Sequence, residues 1–336
     1  MLLTAGIAYC GIRLRQGGSL RKLPAILLIM GAMYLARYLI LTGGGVPYVY
    51  HIVSNDKKDL ERMRGSKYVH SDTSGVFVEI HKLLKKGKKV LFSGTPCQVA
   101  QVKRSNTDYI HNLYTFDILC HGTPGLKMFQ DAVAYWNSKI NGTIISLQFR
   151  DKALSWGHNL ELIYEKNKRR HKKTVAGSTV SYVSLFLKSL IIRPNCFSCP
   201  YTGEKRQGDI TAGDYWGVQK YHSELEEETR NGISCLLVNT EKGEKLFGSC
   251  ESDVTIIESS LENVKVMNGS LNGPNNRSSE YSKTMTVYYK DGYSGLVSLY
   301  KQQMGINWYI LQIKALISPE MKRRIRLLIK KINSNT

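Results

Sequence analysis

The stretch "SDTSGVFVEIHKLLKKGKKVLFSGTPCQVAQVK" (residues 71–103) limits the fold more than any other part of this chain. Val76, Phe77, Ile80, Leu83 and Leu84 recur at helical spacing, which predicts an amphipathic helix. Asp72 or Thr73 is placed to cap its start, and Gly87 to end it. "KKVLFSG" then reads as a short buried strand, and "TPCQVAQVK" turns into the next helix. "NLYTFDILCHGTPG" repeats the theme, with a strand at 113–119 and a Gly/Pro loop after it. "GTIISLQFRDK" is a further strand. Strands alternating with helices predict an α/β fold with a mixed, largely parallel sheet and flanking helices.

That fold would put Cys97 just past the carboxyl end of one strand and Cys120 just past the carboxyl end of another. In open parallel sheets this edge is where ligands bind. Cys196 and Cys199 form the one C-x-x-C, in an irregular loop that follows "SYVSLFLKSLIIRP". Two thiolates do not complete a tetrahedral site. If all four cysteines meet at one sheet edge, they make a full set for a 4Fe–4S cluster or a structural zinc, and spacing alone does not choose between them. Cys235, in the apolar run "GISCLLVNT", and Cys250 read as inert.

The seven cysteines are an odd number in a chain of 336 residues, too long for a disulfide-stapled mini-domain. A reduced, cytoplasmic setting follows, where clustered cysteines bind metal. The formal charge of +20 favours anionic partners: acidic proteins, acidic lipid or phosphate-bearing cofactors. No nucleic-acid-binding motif accompanies that charge, so no nucleic-acid partner is expected.

Five blocks occur in order: "RGSKYVHSD" (64–72), "VLFSGTPCQVA" (90–100), "DILCHGTPG" (117–125), "FRDKALSWG" (149–157) and "CFSCPYTGEKRQGDITAGDYWG" (196–217). Together they resemble the beta-subunit family of coenzyme F(420) hydrogenases and dehydrogenases, over about residues 48–247. The resemblance implies an electron-transfer oxidoreductase subunit that carries a 4Fe–4S cluster and FAD. Such a subunit passes electrons to or from a soluble carrier, a deazaflavin coenzyme in methanogens, or a partner redox protein. It implies Cys97, Cys120, Cys196 and Cys199 as cluster ligands and favours the cluster over zinc. It also implies flavin contacts from Gly65, Ser66, Lys67, Tyr68 and Ser71.

The residues are chemically suited to those roles. "RGSKY" offers a glycine for close backbone approach, a hydroxyl and a cation for a pyrophosphate. Gly94 and Thr95 lie in a strand-to-helix turn suited to an anionic group. Arg150, beside Asp151 at a strand end, would orient a flavin or a substrate carboxylate, or make an ordinary surface ion pair. Asp209 and Asp214 are expected to bond loop amides around the cluster, Trp216 to shield it, and His121 to donate to a sulfur; ordinary turn roles remain open for each. No nucleophile or proton-transfer constellation stands out, so cofactors would carry the chemistry.

The core spans 46–262. Residues 1–45 depart from the family, which usually has a cysteine array and a Ser-Gly-Gly segment near its start. Here "LPAILLIMGAMYLARYLIL" (23–41) has an uncharged run too short to span a bilayer before Arg37. Permitted codons for residues 15–42, read in the neighbouring frame, give "SGGVFAQIARYIINHGGYVFGAIFDFD", which restores the family's pattern. The expectation is an out-of-frame start, with the true N-terminal segment upstream in the DNA. An inactive fragment of a damaged gene is the corresponding alternative function, and a zinc-stapled module for acidic partners is another.

Residues 263–336 read as a polar linker followed by a basic helical tail. In "SPEMKRRIRLLIKKINSNT", Ser318 and Pro319 start a helix with an apolar stripe of Met321, Ile325, Leu328, Ile329 and Ile332. This helix would lie peripherally on an anionic membrane, dock on a partner or pack on its own domain.

Overall fold

The computed structural model describes residues 7–14, 33–42, 46–56, 59, 63, 65–154, 156–249, 254–317 and 321. The strands are β1 (Ile7–Leu14), β2 (Met33–Thr42), β3 (Val46–Ser54), β4 (Val90–Gly94), β5 (Leu113–Ile118), β6 (Thr143–Phe149), β7 (Leu160–Lys166), β8 (Arg169–Val175), β9 (Ile210–Asp214), β10 (Ser234–Val238) and β11 (Val254–Ser259). The helices are α1 (Val76–Lys85), α2 (Pro96–Arg104), α3 (Leu126–Ile140), α4 (Ser181–Leu187), α5 (Glu241–Gly248), α6 (Leu261–Lys265), α7 (Ser279–Met304) and α8 (Ile306–Leu316).

The chain divides into two compact units. The first is Met1–Ile40, Pro47–Leu126 and Ile192–Arg277; the second is Leu41–Val46, Lys127–Ile191 and Ser278–Thr336. The stretch 46–262 therefore contributes to both.

The first unit holds an eight-stranded sheet in the order β11-β1-β10-β9-β5-β4-β2-β3. Its centre is parallel: β2 pairs with β4, β4 with β5, and β5 with β9. The β9–β10–β1–β11 side is antiparallel. The sheet is thus mixed with a parallel centre, and helices flank it. Val76, Ile80 and Leu84 of α1 pack with Val90 and Phe92 of β4 and Val99 and Val102 of α2. Each such side chain, fully buried, contributes about 1.5–3 kcal/mol.

The start of α1 differs from the expectation. Its N-cap is Gly75, with no side-chain cap. Asp72 instead accepts the Ser74 backbone N–H at 2.7 Å, a local turn that stands one step before the helix. The C-terminus is as expected: Gly87 is left-handed at φ +71°, and its N–H bonds the Leu84 carbonyl at 2.9 Å.

The second unit holds a separate antiparallel sheet, β6-β7-β8. The strand at "GTIISLQF" therefore does not join the large sheet. Phe129, Phe149 and Tyr182 form its aromatic centre, with ring centroids 5.5–6.4 Å apart. The Ser181 and Tyr293 hydroxyls meet at 3.0 Å. Polar "GSLNGPNNRSSEYSK" gives way at Ser279 to α7, two helical stretches joined at a kink at Gly292, where φ is +64°.

Residues 15–32 and 318–320 and 322–336 lie outside the described residues, so much of the frame-shift expectation and nearly all of the basic tail helix fall there. Met33–Thr42, which takes in the end of the apolar stretch, forms strand β2. Among the described residues no helix is long and apolar enough to cross a membrane.

Candidate metal and flavin centre

Parallel pairing puts the two strand ends that precede the first two thiols side by side. Gly94 of β4 is in register with Asp117 of β5. Cys97 and Cys120 each follow three residues later, past the same carboxyl edge. Cys97 opens α2, where Pro96 takes the first helical position and Thr95 the N-cap. The Gln98 side-chain carbonyl accepts the Thr95 N–H at 3.0 Å and its hydroxyl at 2.9 Å, which fixes the turn. The Thr95 hydroxyl also lies 3.1 Å from the Cys97 Sγ.

The C-x-x-C comes to this edge through the loop after β5. The Arg193 N–H bonds the Thr123 carbonyl at 3.0 Å, which sets the short 3-10 helix Pro194–Ser198 against that loop. Gly122 donates its N–H to the Cys120 Sγ at 3.4 Å. A Cβ at Gly122 would lie 3.2 Å from the Cys196 Cβ, so the backbone of one thiol segment touches the side chain of another. Burial pushes the Cys199 thiol up, the Tyr201 N–H opposes this, the Cys97 and Cys196 sulfurs push it further, and the Arg206 guanidinium pulls it down. Cys97, Cys120, Cys196 and Cys199 are all half-buried and none forms a disulfide. Cys235 is fully buried in β10, as its apolar run implies.

Among the described residues no three His, Cys, Asp or Glu side chains already stand in metal-holding geometry. The four thiols share a neighbourhood rather than a closed shell. Their donor chemistry, four half-buried sulfurs with a cation behind them, fits a thiolate-ligated cluster.

The segment of "RGSKYVHSD" lies beside both thiol-bearing elements. The His70 N–H bonds the Pro124 carbonyl at 2.8 Å, past Cys120. Gln98, next to Cys97, donates to the Ser71 hydroxyl at 3.1 Å. The His51 ring completes this network, 3.1 Å from both the Ser71 hydroxyl and the Ser93 carbonyl. Because a carbonyl only accepts, Nε2 carries a proton and donates to Ser93.

The flavin candidates thus divide. Gly65, at φ +79° with open space where a Cβ would stand, and Ser66 are exposed. Tyr68 is half-buried, while Lys67 and Ser71 are buried. The Lys67 ammonium donates to the Met63 carbonyl at 2.7 Å. Gly94 and Thr95 are buried too; Phe92 and Gln98 occupy the space at 3.0–3.1 Å that a Gly94 Cβ would need. Arg150, left-handed at φ +65°, follows β6 in the second unit.

Asp209 does not bond the loop amides expected of it. Its carboxylate accepts the Thr115 N–H and hydroxyl and the Thr240 hydroxyl, each at 2.8 Å, and so ties strands together instead of holding the cysteine loop. His121 offers its carbonyl to Asn275 at 2.7 Å. The side chain that does hold the loop is Arg206, which sequence reasoning passed over. Its side chain is 1% exposed and pairs with buried Asp117 at 3.2 Å. Burial pushes Asp117 up, against the pull of Arg206 and the Thr211 hydroxyl. In the sequence, Arg206 sits among Glu204, Lys205 and Gln207, a run that reads as solvated surface.

Residues 87–264, more than half of the chain, match the family model that describes the C terminus of the coenzyme F(420) hydrogenase/dehydrogenase beta subunit. A chain of the F(420)-reducing NiFe hydrogenase complex from Methanosarcina barkeri is similar at 15% identity and a TM-score of 0.47, over 79% of this chain and 87% of that one. No curated protein matches. The matched residues contain all four clustered cysteines, and the chain belongs to the coenzyme F(420) hydrogenase/dehydrogenase beta-subunit family of oxidoreductases.

Proposed function

We propose that the chain is an electron-transfer subunit that binds a 4Fe–4S cluster through Cys97, Cys120, Cys196 and Cys199 and FAD beside it. The observation that carries this reading is the shared rim. Cys97 and Cys120 follow paired positions of neighbouring parallel strands. Cys196 packs against Gly122, where an added Cβ would lie 3.2 Å from its own, and the Cys97 and Cys196 sulfurs are close enough to push the Cys199 thiol up. When bound, a cluster and a flavin supply one- and two-electron chemistry.

The chain's own residues position and insulate. Gly65 and Ser66 offer an open, glycine-containing turn for a pyrophosphate, and Lys67, Tyr68 and Ser71 continue that segment toward the thiols. Gly94 and Thr95 shape the turn under Cys97. Arg150 remains a candidate to orient a flavin or a substrate carboxylate, as its Arg-Asp strand end suggests. The strongly basic balance suits an anionic carrier or an acidic redox partner.

Anaerobically purified protein should show broad absorption near 400 nm together with flavin bands, and about four iron atoms per chain. Zinc in place of iron, in colourless protein without flavin, would overturn this reading in favour of a zinc-stapled module.

A further inference from the structure

Arg206 places a full positive charge in the interior, with a side chain 1% exposed. Nη2 donates to Asp117 Oδ2 at 3.2 Å and to the Ile118 carbonyl at 3.1 Å. Nη1 donates to the Gly203 carbonyl at 3.1 Å and to the Tyr201 carbonyl at 3.5 Å. Nε reaches the Thr211 hydroxyl at 3.3 Å. Ile118 lies two residues before Cys120, and Tyr201 two residues after Cys199. One guanidinium therefore bonds the backbone beside two candidate ligands that are far apart in sequence.

Stability alone is a poor reason for this arrangement. Burying an ion pair costs several kcal/mol in desolvation, and apolar replacement of such pairs is often neutral or stabilising. What an apolar pair cannot supply is direction. The planar fork of arginine fixes several acceptors at once, and lysine has no equivalent.

We propose that Arg206 is a positioning residue that fastens the Cys199 loop to the strand end bearing Cys120, and so presets the spacing of these two thiols before metal arrives. The same charge, left beside the sulfurs, favours the reduced form of a bound cluster. This rests on the cluster reading above and adds to it the residue that organises the ligands.

The test uses the full chain in two states. In metal-free protein, alkylation is followed at Cys120, Cys199 and Cys235 by peptide mass. Arg206→Gln should label about tenfold faster at Cys120 and Cys199, the scale of one lost charge-assisted hydrogen bond, with Cys235 unchanged. Arg206→Lys should label nearly as fast as Gln, because it keeps charge without the fork. In reconstituted protein, Arg206→Gln should lower the reduction potential, and Arg206→Lys should keep it close to wild type. The double variant Asp117→Leu/Arg206→Met leaves no unpaired charge but takes the acceptor from the Thr211 hydroxyl and the Gln207 N–H; circular dichroism checks its fold, and it should label fast at the same two thiols. Unchanged labelling in these variants, or acceleration that is equal at Cys235, overturns the proposal. Wild-type protein that takes up no iron sinks the cluster reading, while the metal-free labelling still decides the role of Arg206.

Discussion

Gly122 and Cys196 are packed closely: a Cβ at Gly122 would lie 3.2 Å from the Cys196 Cβ and 3.0 Å from Ile192 Cδ1, so its neighbours would have to give by a few tenths of an ångström. The backbone there is also left-handed, at φ +103°. Both facts make the same position intolerant.

Gly122→Ala should therefore destabilise the chain by about 1–3 kcal/mol from backbone strain, with the contact adding to it. It should also push the Cys120 and Cys196 segments apart. Iron per chain should fall in parallel with the urea midpoint. Normal iron content in a destabilised variant would show that this contact does not set the ligand spacing.

Cysteine substitutions should separate ligands from core. Cys97→Ser, Cys120→Ser, Cys196→Ser and Cys199→Ser should each reduce iron to a small fraction of wild type. Cys235→Ala should leave iron content intact, because Cys235 lies in the β10 core with Leu237 and Val264. It should instead cost about 1 kcal/mol for a small buried side chain. Elemental analysis of anaerobic preparations decides.

Asp209→Ala should be among the most destabilising single changes. It strips the Thr115 N–H and hydroxyl and the Thr240 hydroxyl of their acceptor and leaves the Lys242 ammonium, 3.6 Å away, without its counter-charge. The expected loss is about 3–5 kcal/mol, read as a large fall in the denaturant midpoint.

Gln98→Ala removes the acceptor of the Thr95 N–H and the donor to Ser71. A loss of about 2 kcal/mol is expected for these buried groups. Ser71 and the segment before it should loosen as well, so bound FAD should fall more than iron. Equal losses of both would argue against Ser71 belonging to the flavin site.

Asp72 gives a pH dependence. The Tyr48 hydroxyl donates to it at 2.6 Å, and this bond, with the Ser74 backbone N–H, holds its pKa below the ordinary carboxylate range. The folded state therefore prefers the ionised form. That stabilisation is complete above the unfolded pKa of about 4 and is lost as pH falls through the lower folded value. Wild type should exceed Asp72→Asn by about 1 kcal/mol at pH 7 once solvent screening is allowed for. The difference should shrink to near zero in strong acid, measured by urea titration at several pH values.

Local sequence determined a good part of this protein. Periodic apolar residues wrote α1, β4 and α2, and Gly87 wrote the end of α1, because side-chain spacing and backbone freedom act within a few residues. The same reading put Cys97 and Cys120 past strand carboxyl ends, and the register of Gly94 with Asp117 sets those ends side by side. Tertiary structure decided the rest. "GTIISLQF" reads as a strand, yet nothing in its own residues says which sheet it enters, since that depends on partners distant in sequence. Arg206 looks like a surface charge among other charges, and Asp209 like a residue of the cysteine loop. Only the folded chain buries them and supplies acceptors and donors from β5, β9 and the cysteine loop, so their roles come from long-range hydrogen bonds that no local pattern encodes.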